Sequence, residues 1–221
     1  IRNKTNVGFS RAVNLAAAAS RGRILVVINQ DIHLQPGSLQ QVCAFLASNN
    51  AVVGGALSFQ DGTRQPSCGP FPTFFATLWR MLLPRRLRKY YLSNFRCAET
   101  RAVDWVTGAF VGCRRELFNA VGGFDEDYFM YYEDVDFCLR ARRAGFKSYF
   151  LPSAKAVHLH PFSERDDAPD WLRKEVRLSQ MTYFRKHRPG WERAVIRALN
   201  RAYFLAHGWG WTAGPVRQSK I

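Results

Sequence analysis

Apolar positions along the chain fall into short runs that alternate between a helical and an extended period. Ser10 to Ala19 spaces Ala and Leu as a helix does, with Ser10 as N-cap and Gly22 just past the end. The run Ile24-Leu25-Val26-Val27-Ile28 is apolar on both faces, the pattern of a strand buried in a parallel sheet between helices. It leads directly into Asn29-Gln30-Asp31 and so sets a carboxylate at the carboxyl end of a strand, where open α/β sheets bind ligands. A second helix is predicted over Pro36 to Ser48 and a strand over Ala51 to Leu57. Asp61 to Arg101, with Pro66, Pro70, Pro72 and Pro84, is the least regular stretch. Order returns over Val103 to Cys113, followed by helices over Arg115 to Val121 and Glu133 to Ala144, each stopped by glycine. Lys147 to Leu151 and Lys155 to His160 read as extended, and everything from Trp171 as helical. The alternation through the first 160 residues predicts an α/β layered domain. We expect it to occupy residues 1–165, with residues 166–221 as a helical appendage.

Composition narrows the class. With 47% hydrophobic residues among 221, the chain has the material for a real core. No apolar stretch approaches the roughly 20 residues of a membrane span. Cys43, Cys68, Cys97, Cys113 and Cys138 are odd in number, widely spaced and without a C-x-x-C pair, so we read them as small buried residues in a reducing compartment. The chain starts at Ile1 without an initiator Met and enters structure at once. It is expected to be the interior and C-terminal part of a longer product.

Against a formal net charge of +15, six carboxylates crowd into Asp125 to Asp136. A structural account makes Asp125 to Asp127 a solvated turn, sets Glu133 and Asp134 against a helix dipole and pairs Asp136 with Arg140 one turn on. Asp134 carries more. A carboxylate at a helix start behind an aromatic loop is held where it can take a proton from a bound hydroxyl. An EF-hand is excluded by its ligand spacing and missing central glycine.

Four stretches together resemble the bacterial family 2 glycosyltransferases, in particular their rhamnosyltransferase-like branch: Asn6 through Asn14, Asn29-Gln30-Asp31, Trp105-Val106-Thr107-Gly108-Ala109, and Gly122 through Arg140 with His158 beyond. The resemblance covers residues 3–163. It implies a Rossmann-like nucleotide-diphospho-sugar transferase (GT-A type) domain, N-terminally incomplete because the family's first two strands precede the region matched by Asn6. It also implies Mg²⁺ or Mn²⁺ as cofactor, with Asp31 matching the first carboxylate of the family's D-x-D element, His158 completing the metal site and Asp134 acting as catalytic base. His33 stands where the second Asp of D-x-D would fall and is a further candidate ligand; imidazole suits Mn²⁺ better than Mg²⁺. Donor binding is expected at Asn6, Gly8, Arg11 and Asp31, acceptor binding at Trp105, Gly108, Ala109 and Glu133. Gly8 reads equally well as an ordinary helix entry, and Gly108-Ala109 as close packing.

The chemistry agrees with these residue types. Glycosyl transfer from a nucleotide sugar needs a cation to neutralise the departing diphosphate and a base for the acceptor hydroxyl. One base with no second carboxylate as nucleophile makes inversion the simpler course. The expected activity is metal-dependent, inverting transfer to a saccharide or lipid-linked acceptor in cell-surface polysaccharide synthesis. A binding-only remnant is the alternative.

The excess charge lies in two regions. Arg165 to Ile221 holds twelve Lys or Arg and five Asp or Glu, and Arg80 to Arg101 holds seven basic residues and Glu99. Interleaved aromatics make both resemble surfaces that sit on anionic headgroups, which predicts a cytoplasmic protein peripheral to the inner face of the plasma membrane. Nucleic acid is the rival partner. No helix-turn-helix, zinc-finger or RNP-like pattern supports it, and the acidic loop would repel a phosphate polymer.

Overall fold

The computed structural model describes residues 1–82, 99–159 and 169–209. They fall into two compact units. A sheet unit comprises Ser20–Gly123 and Phe137–Pro161, and a helical unit comprises Ile1–Ala19, Phe124–Asp136 and Phe162–Ile221. The chain passes from the sheet unit to the helical unit at Pro161/Phe162, and the tail shares its unit with the first helix and the acidic loop. The basic run Arg85 to Lys89, His160 and Trp211 lie outside the described residues.

In the sheet unit, strands β1 (Ile24–Ile28), β8 (Phe110–Arg114), β3 (Val52–Ser58), β9 (Ser148–His158) and β2 (Ile32–Leu34) lie side by side in that order. Short β4 (Arg64–Gln65) pairs with β3, and β6 (Arg101–Val103) with β9. β1, β3 and β9 run in one direction; β8 and β2 run against them. The parallel sheet expected around β1 is thus a mixed one. Its apolar run registers antiparallel on β8, from Ile24 opposite Arg114 to Ile28 opposite Phe110. β1 also lies at the end of that strand order, where Leu25 is buried but Ile28 is 37% exposed, so its apolarity on both faces fixes neither burial nor strand direction.

Two adjacent glycines shape the middle of the sheet. A Cβ on Gly54 would lie 2.4 Å from Val106, and one on Gly55 would lie 2.3 Å from the Phe110 ring and 2.6 Å from the Ala154 carbonyl. Their bareness lets Phe110 seat in a core with Val42, Leu46, Val53, Leu57, Leu151 and Ala156. Beyond Gly55 the β3–β9 register jumps from Leu151 to Lys155, so Pro152, Ser153 and Ala154 bulge out. This bulge is why one strand reads as two extended segments in the sequence.

Helix α2 (Ser38–Ser48) buries Val42 and Leu46, and the Arg114 guanidinium donates to its last carbonyls, Leu46 O and Ala47 O, at 2.7 and 2.6 Å. Helix α3 (Phe74–Leu82) lies in the chain between β5 (Cys68–Gly69) and β7 (Trp105–Val106), which pair as a two-stranded sheet. Helix α4 (Arg115–Val121) ends at Gly122, as expected. Cys43, Cys68, Cys113 and Cys138 are free thiols, and burial, then the neighbouring Cys138, pushes the Cys113 thiol up to about 12.

The helical unit holds α1 (Phe9–Ala19), the acidic loop with the first turn of α5 (Glu133–Arg143), and the tail helices α6 (Asp170–His187) and α7 (Gly190–Ala206). Ser10 lies inside α1, fully buried, and is not its N-cap. Gly8 precedes the helix with φ +83°, and a Cβ there would fall 2.7 Å from the Phe129 carbonyl. Only glycine allows that backbone to lie against the loop. Among the described residues no helix is long and apolar enough to cross a membrane.

Candidate functional site

The sheet unit brings Asp31 and His158 together. After β1 the Asn29 N–H donates to Ala109 O, the Ile32 N–H turns back to Asn29 O, and the Leu159 N–H donates to Asp31 O at 2.8 Å. These three bonds pin Asp31 beside the end of β9, at the carboxyl ends of the parallel strands. There Asp31 Oδ2 lies 3.2 Å from His158 Nε2. The other ring nitrogen, Nδ1, is 2.9 Å from Gln65 Oε1.

That second contact decides what the first can do. A carbonyl oxygen only accepts, so Nδ1 carries a proton, and the neutral ring then turns the Nε2 lone pair toward a carboxylate oxygen while the imidazolium donates to it. Two acceptors 3.2 Å apart need a positive species between them, either a proton or a cation. Octahedral coordination at about 2.0–2.1 Å sets neighbouring ligands about 2.9 Å apart, so the pair suits two adjacent positions on one divalent ion. Gln65 then fixes the tautomer from behind, as partners of metal-bound histidines do. Among the described residues no group of three His, Cys, Asp or Glu side chains forms a fuller cage. His33 is not brought in. It pairs with Val157, so it points to the face opposite the Ile32–His158 pair and is exposed.

The expected acceptor residues of this unit separate. Ala109 and Gly108 are buried, and Ala109 accepts from Asn29, so they stand beside the strand end that carries Asp31. Trp105 sits on β7 with its indole N–H donating to Pro70 O at 2.8 Å.

In the helical unit the acidic loop is built, not merely solvated. Lys186 pairs with Asp125 and, at 2.8 Å, with Asp127, whose carboxyl it holds below the ordinary range; Arg185 adds a bond to Asp127 at 3.0 Å. Asp136 is fully buried and takes His187 Nε2 at 2.6 Å and the Tyr128 hydroxyl at 3.3 Å. Burial and the Asp136 charge push the Tyr128 phenol upward. Arg140, one turn on, donates to Val121 O and Gly123 O, at 2.6 and 2.8 Å.

Just before α5, Tyr131 and Tyr132 both adopt left-handed backbone, φ 69° and 64°. Non-glycine residues pay about 1–2 kcal/mol each for this. α6 holds them there: the Ser179 hydroxyl donates to Met130 O at 2.7 Å, and Gln180 Nε2 to the Tyr132 hydroxyl at 3.1 Å. Asp134 follows, half-buried, with Oδ1 accepting the Val135 N–H at 2.8 Å. Glu133 is 5% exposed, and burial, then Asp134, raise its carboxyl well above the ordinary range, with Asp136 and Glu175 adding to the effect. It is thereby disposed to be neutral, and it sits too deep to offer an acceptor sugar a contact. Gly8 N–H donates to Asn6 Oδ1 at 3.1 Å, and Phe9 N–H to Phe129 O at 2.7 Å. The backbone N–H of Gly8, an expected donor-binding residue, is thus bonded within the protein, and exposed Arg11 lies 3.9 Å from Glu126.

Residues 1–178 match the model of the glycosyltransferase like family 2. The chain belongs to this family. It is 31% identical over 171 residues to an N-acetylglucosaminyl-diphospho-decaprenol L-rhamnosyltransferase of Mycobacterium tuberculosis, covering 69% of this chain and 56% of that protein. To the rhamnosyltransferase WbbL of Escherichia coli it is 27% identical over 161 residues, 68% of this chain and 60% of the other. The chain thus spans a little over half the length of these relatives. Among solved structures, the mannosyltransferase PcManGT from Pyrobaculum calidifontis, in complex with GDP-Man and Mn²⁺, is similar with TM-score 0.52 and 17% identity over 96% of this chain and 58% of that one. GalNAc-T7, solved with UDP, GalNAc and Mn²⁺, gives TM-score 0.55 and 16% identity over 82% of this chain and 36% of that one. The family and the GT-A type fold expected from the four motifs are both borne out.

For this family 2 member, sequence reasoning missed Gln65 and the residues of α6 that brace the acidic loop. Gln65 sits on a two-residue strand inside the least regular stretch, where no periodic signal exists. A signal for α6 was present: six carboxylates within twelve residues of a basic protein call for cationic partners, and Arg185-Lys186-His187 closes a helix.

Proposed function

We propose that the protein transfers a sugar from a nucleotide-diphospho-sugar to a hydroxyl of a saccharide or lipid-linked acceptor, with inversion, in cell-surface polysaccharide synthesis at the inner face of the plasma membrane. The observation that carries this reading is the Asp31–His158 pair at the carboxyl ends of the sheet, with its tautomer set by Gln65. Family membership and the nucleotide sugars and Mn²⁺ in the names of similar structures support it.

Within the sheet unit, Asp31 Oδ2 and His158 Nε2 are the atoms that would hold a divalent cation. When bound, that ion supplies positive charge to offset the charge developing on the departing diphosphate. In the helical unit, the Asp134 carboxylate accepts the proton of the acceptor hydroxyl. The neighbouring Glu133, buried and disposed to be neutral, is a poor nucleophile. One competent carboxylate at this helix start favours direct displacement over a covalent intermediate, hence inversion.

The test is release of nucleoside diphosphate from UDP-, GDP- and dTDP-sugars in the presence of Mn²⁺ and a lipid-linked saccharide. We expect acceptor-stimulated release from one donor class, abolished by EDTA. Donor binding without release under any of these conditions would favour the binding-only alternative.

A further inference from the structure

The two tail helices use their positive charge differently. α6 turns Arg185, Lys186 and His187 inward onto Asp127, Asp125 and Asp136. Its last turn is therefore occupied within the unit, although the whole tail was expected to lie on a membrane. α7 is another matter. Its inner face, Glu192, Ile196, Asn200 and Phe204, is buried at every fourth position. The opposite face of a surface helix is ordinarily polar. Here it carries Trp191, Val195, Ala198, Ala202 and Leu205, which at 3.6 residues per turn fall within about 80° of arc. Trp191 is 56%, Val195 38% and Leu205 69% exposed.

The charges beside this stripe are of one sign. Arg197 and Arg201 stand on the side of the stripe, both exposed, while Arg193 lies about 200° round the helix from Trp191 and donates to Arg185 O at 3.2 Å. The single carboxylate of α7, Glu192, is buried and held by Arg188 at 2.6 and 3.0 Å. Two copies paired through the stripe would bring the arginines of one α7 alongside those of the other, and the one carboxylate of this helix is buried. An anionic lipid surface offers both what the stripe and what the arginines need: an apolar boundary for Trp191, Val195 and Leu205, and phosphate oxygens at the level of Arg197 and Arg201.

We propose that the outward face of α7 is the membrane-docking surface of the protein, binding anionic headgroups through Arg197 and Arg201 and inserting Trp191, Val195 and Leu205 at the interface. The idea deepens the reading of an enzyme that works on lipid-linked acceptors, but its test needs no substrate, so either can fail alone. The protein is floated with vesicles of phosphatidylcholine, with and without phosphatidylglycerol, at low and high salt. We expect binding only to the anionic vesicles, weakened by salt as screening shortens the reach of the arginines. The double change Arg197→Gln and Arg201→Gln should weaken it about 30-fold, and the triple change Trp191→Ser, Val195→Ser and Leu205→Ser should abolish it, with helix content by circular dichroism unchanged because all five side chains face outward. Binding of the triple variant equal to the parent, binding indifferent to lipid charge, or a dimer that the triple change dissolves would overturn the proposal, the last in favour of a second copy as occupant.

Discussion

Asp134→Asn is expected to lower sugar transfer about 10²-fold or more while leaving the KM for the donor nearly unchanged. The substitution keeps the shape of the side chain and the Oδ1 oxygen that accepts the Val135 N–H, so the start of α5 stays formed. What it removes is the ability to take a proton. The expectation is specific to Asp134 because its acidic neighbours are engaged otherwise: Asp125 and Asp127 by Lys186, Asp136 by His187, and Glu133 by burial. Steady-state rates at saturating acceptor read the effect. A variant with near-normal turnover removes Asp134 from the role of base.

The largest effect on stability is expected from His187→Ala. Asp136 has no solvent exposure and loses its 2.6 Å partner, while the Tyr128 bond that remains is longer, at 3.3 Å. Breaking a buried pair from one side costs about 3–5 kcal/mol, and for a protein of this size that lowers the melting temperature by about 6–20 °C. Adding Asp136→Asn to the His187→Ala background should recover part of the loss, because the stranded charge is gone. Thermal melts by circular dichroism of the single and double variants measure both. A single variant that melts within a degree or two of the parent contradicts the pairing.

Much of the site was legible because it depends on local order. The run Ile24 to Ile28 marks a strand, and the residue types that follow place Asp31 at its end. The meeting of Asp31 with His158 was expected from the family pattern, and the β2–β9 ladder delivers it. His33 was misplaced because the D-x-D spacing was read without the strand it lies on, whose alternation turns that side chain to the other face. The Asp136–Arg140 pair fits the helix rule for neighbours four apart. Beyond that rule, Arg140 also donates to Val121 O and Gly123 O, and His187 reaches Asp136 from 51 residues away. No short-range rule contains that contact. The sheet order was hidden for the same reason, since the apolar run of β1 carries neither its place at the end of the strand order nor the direction of β8.

Direct measurement of Mn²⁺ binding tests the central claim, that Asp31 and His158 share one cation. Free Mn²⁺ is followed by electron paramagnetic resonance as protein is added, in separate titrations with UDP, GDP and dTDP. The account predicts saturable binding of Mn²⁺ by the parent, loss of affinity by about 10–100-fold in Gln65→Leu, which frees the tautomer of His158, and a larger loss in Asp31→Asn and in His158→Ala. His33→Ala should bind as the parent does. Equal Mn²⁺ affinity in the parent, Asp31→Asn and His158→Ala would contradict it.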